Sequence, residues 1–138
     1  MSLIEMAICF RAMQLYTHHA HNLVAHATFF SDHEFFGELY SFAEGAYDSL
    51  IERHVGTVSD QINLAEVVAK AHQKIVSLQS TVKENKTYYL ETLKLVDYIL
   101  AECEKYKSAP VSIGTQNLIA DLADKTEVIK FKIKQRVK

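Results

Sequence analysis

The sequence predicts an all-α fold: a bundle of four long antiparallel helices with a short extra helix in the crossover between the second and the third. Three observations lead there. Only 4 Gly and 1 Pro occur in 138 residues, too little punctuation for the many turns of a sandwich or a barrel. Apolar residues recur at steps of three and four along separate stretches, and these stretches are bounded by capping or breaking signals. A hydrophobic share of 49% against 23% charged belongs to globular chains rather than disordered ones. The length is that of a single domain spanning 1–138.

The first helix is expected from Leu3 to about Ala27, with Leu3, Ala7, Phe10, Gln14, Thr17, His21 and Val24 along one face. That stripe turns polar at Thr17 and His21, where an apolar core would continue with Leu or Ile. Both are therefore expected to face something other than hydrocarbon. A break at Phe29 to Asp32, with Ser31 and Glu34 as a capping box, starts a second helix from about Asp32 to His54. Its core stripe is Phe36, Leu39, Ala43, Ala46 and Leu50, and Gly56 is its stop, in the left-handed position after the C-cap.

Gly56 to Ile62 reads as a loop, after which Asn63 and Glu66 signal the start of a stretch carrying Leu64, Val67, Val68, Ala71, Ile75 and Leu78. A helix unbroken from Leu64 to Lys107 would be about 66 Å long, so a break is expected near Ser80, where Thr81 and Glu84 offer a new capping box. The next helix, about Val82 to Lys107, carries Tyr88, Leu90, Leu93, Val96, Ile99 and Leu100 and ends before Pro110. The last, about Thr115 to Val137, shows Leu118, Leu122, Ile129, Ile133 and Val137. Four helices and a connector describe a bundle with one long crossover.

No apolar run approaches the roughly 18 residues that would span a bilayer, and the start MSLIEMAICFRAM lacks the basic region and long apolar core of a signal peptide. The expectation is a cytoplasmic protein with no membrane partner. Cys9 and Cys103 share no CxxC spacing and lie within helical patterns, as buried thiols do in a reducing compartment. The net charge of −2 excludes a strongly basic nucleic-acid binder by bulk composition, yet Lys125 to Lys138 carries a local +5, which leaves −7 for the rest.

Five of the seven histidines, His18, His19, His21, His26 and His33, fall within sixteen residues. Of these, only His18 and His21 have the spacing of a metal pair within one helix; solvated or core histidines are the alternative. On the second helix Asp48 and Glu52 are spaced i, i+4, so their carboxylates share a face and could bind one cation. His33 points within about 60° of Asp48 but lies about 22 Å from it along the axis. One metal ion cannot touch both within one chain. Two copies of the helix packed antiparallel about a two-fold axis would bring His33 of one to Asp48 and Glu52 of the other, giving two identical sites per dimer. His21, on the neighbouring helix, is the natural fourth ligand. Nitrogen and carboxylate donors in a helical bundle suit iron, with zinc or manganese as substitutes.

The stretch FFSDHEFFGELYSFAEGAYDSLIER, Phe29 to Arg53, resembles the second-helix signature of the Dps family, the miniature ferritins that protect DNA during starvation. His21 lies twelve residues before His33, Asp48 fifteen after it and Glu52 four further on, matching that family's intersubunit ferroxidase ligands. The resemblance implies a ferritin-like four-helix bundle assembled into a homododecameric shell. In such a shell Fe(II) is oxidised at two-fold interfaces, preferably by hydrogen peroxide, and stored as ferric mineral. His21 and His33 would come from one subunit, and Asp48 and Glu52 from its mate. Cavity-facing acids such as Glu44 would assist nucleation. For Tyr40 and Tyr47 the expectation is interface packing, with a place near the site as the alternative.

The chain departs from the family pattern at two places. One turn after His33, where that pattern has a carboxylate, stands Gly37; Glu38 and Glu34 are the nearby substitutes, each needing backbone or rotamer adjustment. The tryptophan that usually follows the first histidine is replaced by Asn22. Ferroxidase activity is therefore expected to be weakened, and the opposing reading is a ferritin-like structural, interaction or DNA-binding shell that has lost it. Gly37 also weakens its helix by about 1 kcal/mol relative to Ala, which suggests that it makes room for one of the many nearby aromatics or for a distorted turn. With no lysine before Lys70, the DNA-binding candidates are Lys130, Lys132, Lys134, Arg136 and Lys138, and the alternative for them is a solvated helix end.

Overall fold

The computed structural model describes residues 2–57 and 61–138. Five helices follow one another: α1 (Ile4–Leu23), α2 (Phe29–Thr57), α3 (Leu64–Ile75), α4 (Asn85–Glu104) and α5 (Ile113–Val137), and the described residues contain no strand. The all-α expectation holds, with α3 as the short helix of the crossover. α1 packs against α2, α4 and α3, while α5 packs against α4 and touches α2, so the four long helices enclose a common core.

α1 is the innermost element. Met6, Ile8, Phe10, Ala12, Met13 and Ala20 are fully buried together with much of the expected stripe, which is why its apolar residues run nearly all round. Thr17, expected to meet a polar environment, is instead buried, its hydroxyl donating to Met13 O at 2.7 Å within its own helix. Every residue of the α2 stripe, Phe36, Leu39, Ala43, Ala46 and Leu50, is buried. Cys9 and Cys103 are free and buried, and burial pushes both thiols up to about 11, away from nucleophilic reactivity.

The boundaries of the helices depart from the sequence reading in several places. α1 stops at Leu23 rather than Ala27. α2 begins at Phe29, so the Ser31/Glu34 capping box does not form; the Ser31 hydroxyl donates to Thr28 O from inside the first turn. Gly56 does not stop α2 either. The helix runs through it to Thr57, and no described glycine has a positive φ. The rest of the expected Gly56 to Ile62 loop falls partly on 58–60, outside the described residues.

Asn63 does cap α3, its side chain accepting from Glu66 N at 3.0 Å. On α3 Val67 and Ala71 are buried, whereas Leu64 and Val68 of the same expected stripe are exposed, as Leu90 is on α4. The break after α3 is present, but the Thr81/Glu84 box is not: Glu84 is the N-cap of α4 and makes no side-chain cap bond. α4 ends at Glu104, short of Lys107. Ser112 caps α5, accepting from Thr115 N at 3.1 Å, so the helix starts two residues earlier than expected.

Candidate metal centre

A loop of five residues, 24–28, reverses the chain between α1 and α2 and sets His21, in the last turn of α1, beside His33, in the second turn of α2. Within the loop His26 adopts φ 68°, a left-handed conformation unusual for a residue with a side chain. Asn85, the first residue of α4, grips the loop in both directions. Its Oδ1 accepts from Ala25 N at 3.0 Å, and its Nδ2 donates to Ala25 O at 2.7 Å.

The two histidine rings stack at 3.6 Å between centroids and 22° between planes. Each also hydrogen-bonds the other's backbone: His21 Nδ1 lies 2.6 Å from His33 O, and His33 Nδ1 lies 2.7 Å from His21 O. A carbonyl oxygen only accepts, so both Nδ1 atoms carry the proton. In the neutral imidazole Nε2 then keeps its lone pair, which is the state a metal ligand requires. Phe29 stacks on the outer face of the pair, 4.9 Å from His33. Tyr40 meets His21 edge-on at 5.2 Å and stacks on His18 at 4.2 Å.

Gly37 has its reason here. A Cβ built on it would lie 3.2 Å from both Cε1 and Nδ1 of His21, tighter than an ordinary contact. The missing side chain is the space that the stacked His21 ring fills. Glu34 and Glu38, the nearby acids, are exposed. Asp48 and Glu52 are exposed as well, and neither has a hydrogen-bond or ion-pair partner among the described residues. They sit toward the far end of α2, so a single chain gathers no group of three or more His, Cys, Asp or Glu able to hold a metal among the described residues. Glu44 is exposed, and Tyr47 lies under the Arg11 guanidinium at 3.7 Å, away from the histidine pair.

The residue that sequence reasoning missed is Asp32. Only 1% exposed, it accepts from Thr28 Oγ1 (2.6 Å), Asn85 Nδ2 (2.9 Å), Tyr89 OH (2.7 Å), and Arg136 Nε and Nη2 (both 3.0 Å). Burial opposes its ionisation, but the hydrogen bonds from Arg136, Thr28, Tyr89 and Asn85 outweigh it and hold the carboxyl down at about 2. An acid among the aromatics of the Phe29 to Phe36 stretch was the available signal, since such a carboxylate needs partners if it is buried.

Arg136, one of the five basic candidates of the last helix, thus has its guanidinium turned inward onto Asp32, and Lys130 is paired with Asp97 at 2.8 Å. Lys132, Lys134 and Lys138 remain exposed. No helix among the described residues is long and apolar enough to cross a membrane. Scanned against protein-family models the chain matches none, and searches of curated proteins and of solved structures likewise find no match. What the structure defines is therefore a class, an all-α helical bundle with a tautomer-fixed histidine pair at one end.

Proposed function

We propose that this chain is a ferritin-like subunit of the Dps type, which assembles through two-fold dimers into a homododecameric shell and binds Fe(II) as substrate at the subunit interfaces. The reading is carried by the reciprocal bonding of His21 and His33, which puts the proton on each Nδ1 and leaves each Nε2 with its lone pair in the neutral imidazole. Their donors would be completed by Asp48 and Glu52 of a second copy, carboxylates that have no hydrogen-bond or ion-pair partner among the described residues of their own chain. Two imidazoles and two carboxylates suit a ferrous ion and hold the ferric product still better, because the carboxylates offset the added charge. Two ferrous ions each give one electron to one hydrogen peroxide, which takes up two protons and leaves as water. Zinc or manganese would compete for the same donors.

Gly37 withholds the additional carboxylate of the family pattern, so turnover is expected to be slow. This same observation favours a second reading, a ferritin-like shell that holds a redox-inactive metal or none. The experiment is ferrous oxidation by purified apoprotein with peroxide and with oxygen, against a protein-free control and an Asp48→Ala variant. Saturable acceleration that the variant loses supports the ferroxidase; acceleration that it keeps, or none in either, sinks it. DNA binding would rest on Lys132, Lys134 and Lys138, repeated around a shell. Its test is gel retardation at low salt by the chain and by the triple alanine variant, with equal retardation removing these lysines from the account.

A further inference from the structure

We infer that Asp32, with Arg136, is the positioning device of the histidine pair: the clasp fixes where α2 begins relative to α1 and so holds His21 and His33 in the reciprocal, single-tautomer arrangement. This rests on the metal reading for its purpose but not for its geometry. Asp32 is the residue before His33, and its backbone N–H makes the bond to Thr28 O that opens α2. Its carboxylate is met from three directions: Thr28 from the turn before α2, Asn85 and Tyr89 from α4, and Arg136 from α5. The first turn of α2 is thus fastened to two other helices at one residue. Asn85 extends the fastening to the loop, since the amide nitrogen that donates to Asp32 also donates to Ala25 O.

Both ends of the segment that links His21 to His33 are therefore fixed by one network. Tyr89 adds a packed floor, stacking on Phe36 at 4.4 Å, with the Arg136 guanidinium 5.3 Å above its ring. The histidine bonds span two backbones and tolerate little sliding, because each Nδ1 reaches the other residue's carbonyl at 2.7 Å or less. If the start of α2 rotates or shifts along its axis, both bonds lengthen together. Neither ring is then bound to one tautomer, and neither Nε2 is kept free of the proton. Asp32 faces none of the metal donors and acts through the backbone of its neighbour.

The test compares the full chain with Asp32→Asn and Arg136→Lys, the second keeping the charge but not the forked geometry. Three readouts are taken: folding by circular dichroism, the tautomers of His21 and His33 by nitrogen chemical shifts without metal, and affinity for Co(II) as the probe. The expected result is native Nδ1–H tautomers that become mixed in both variants, with Co(II) affinity reduced about 10-fold or more while helicity is kept. Lower thermal stability with unchanged tautomers and unchanged Co(II) affinity would overturn the inference and leave the clasp as a structural pin. Should Asp32→Asn fail to fold, Arg136→Lys decides by the same two readouts. Should the unmodified chain bind no Co(II), the metal reading fails, while the tautomers still decide the clasp.

Discussion

The two ends of α2 handle their acids in opposite ways. Near the start, Asp32 is 1% exposed and receives five hydrogen bonds from four residues, one of them an arginine from the far end of the chain. Toward the other end, Asp48 and Glu52 stand in the open with no partner among the described residues. A carboxylate taken out of water must be fully paired, so the first arrangement reports the demands of folding. Exposed carboxylates at i, i+4 make no such demand and are free to serve a ligand. Position on one helix therefore separates a residue that holds the bundle together from residues available for chemistry.

The largest expected effect lies at the closed end. Arg136→Met leaves the buried Asp32 without its cation and should cost about 3–5 kcal/mol in chemical unfolding at neutral pH. Lys130→Ala, on the same helix as Arg136, removes an exposed ion pair with Asp97 of α4 and should cost less than about 1 kcal/mol. Equal losses would erase the distinction between clasp and surface pair.

Acid should reach the same clasp by another route. The Asp32 carboxyl is held at about 2, below its ordinary 3.8, so its contribution is complete above pH 4 and is lost as the pH falls from there toward 2. The size of that contribution is about 2 kcal/mol. Unfolding followed from pH 6 to pH 2 should show this loss in the native chain and a smaller one in Asp32→Asn. At the open end the expected stability change is smaller still. Asp48→Ala with Glu52→Ala should leave the unfolding midpoint within about 0.5 kcal/mol of the native chain. Any effect on ferrous oxidation would then be an effect on the site alone.

The contrast also explains what could be read from the sequence. The α2 stripe was legible because burial there follows a local period, and the His21/His33 pair was legible because twelve residues accommodate one helical reversal. Asp32 was not, since Asn85, Tyr89 and Arg136 lie 53, 57 and 104 residues away, and no local pattern encodes such partners. The same anchoring accounts for the misplaced start of α2. Ser31 and Glu34 form a plausible cap, but bonds from distant helices fix Asp32 inside the helix and draw its start back to Phe29. Gly56 failed as a stop because glycine permits the left-handed conformation without requiring it. On α3, periodicity named Leu64 and Val68 along with Val67, yet only the side toward α1 is covered in the single chain.

At Gly37 the expected effect on stability is small because two terms oppose. Alanine favours the helix by about 1 kcal/mol over glycine. Its Cβ would also meet the His21 ring at 3.2 Å, and the ring must then give by a few tenths of an ångström against its stack on His33. The ring is held by one hydrogen bond, its stack on His33 and an edge contact with Tyr40 and is half-buried, so it can move at a cost comparable to the gain. Gly37→Ala is therefore expected to change unfolding stability by less than about 1 kcal/mol while disturbing the His21 tautomer. A gain of the full helix-propensity term with the tautomer intact would mean that the ring has slack. The glycine would then not be what keeps the pair in place.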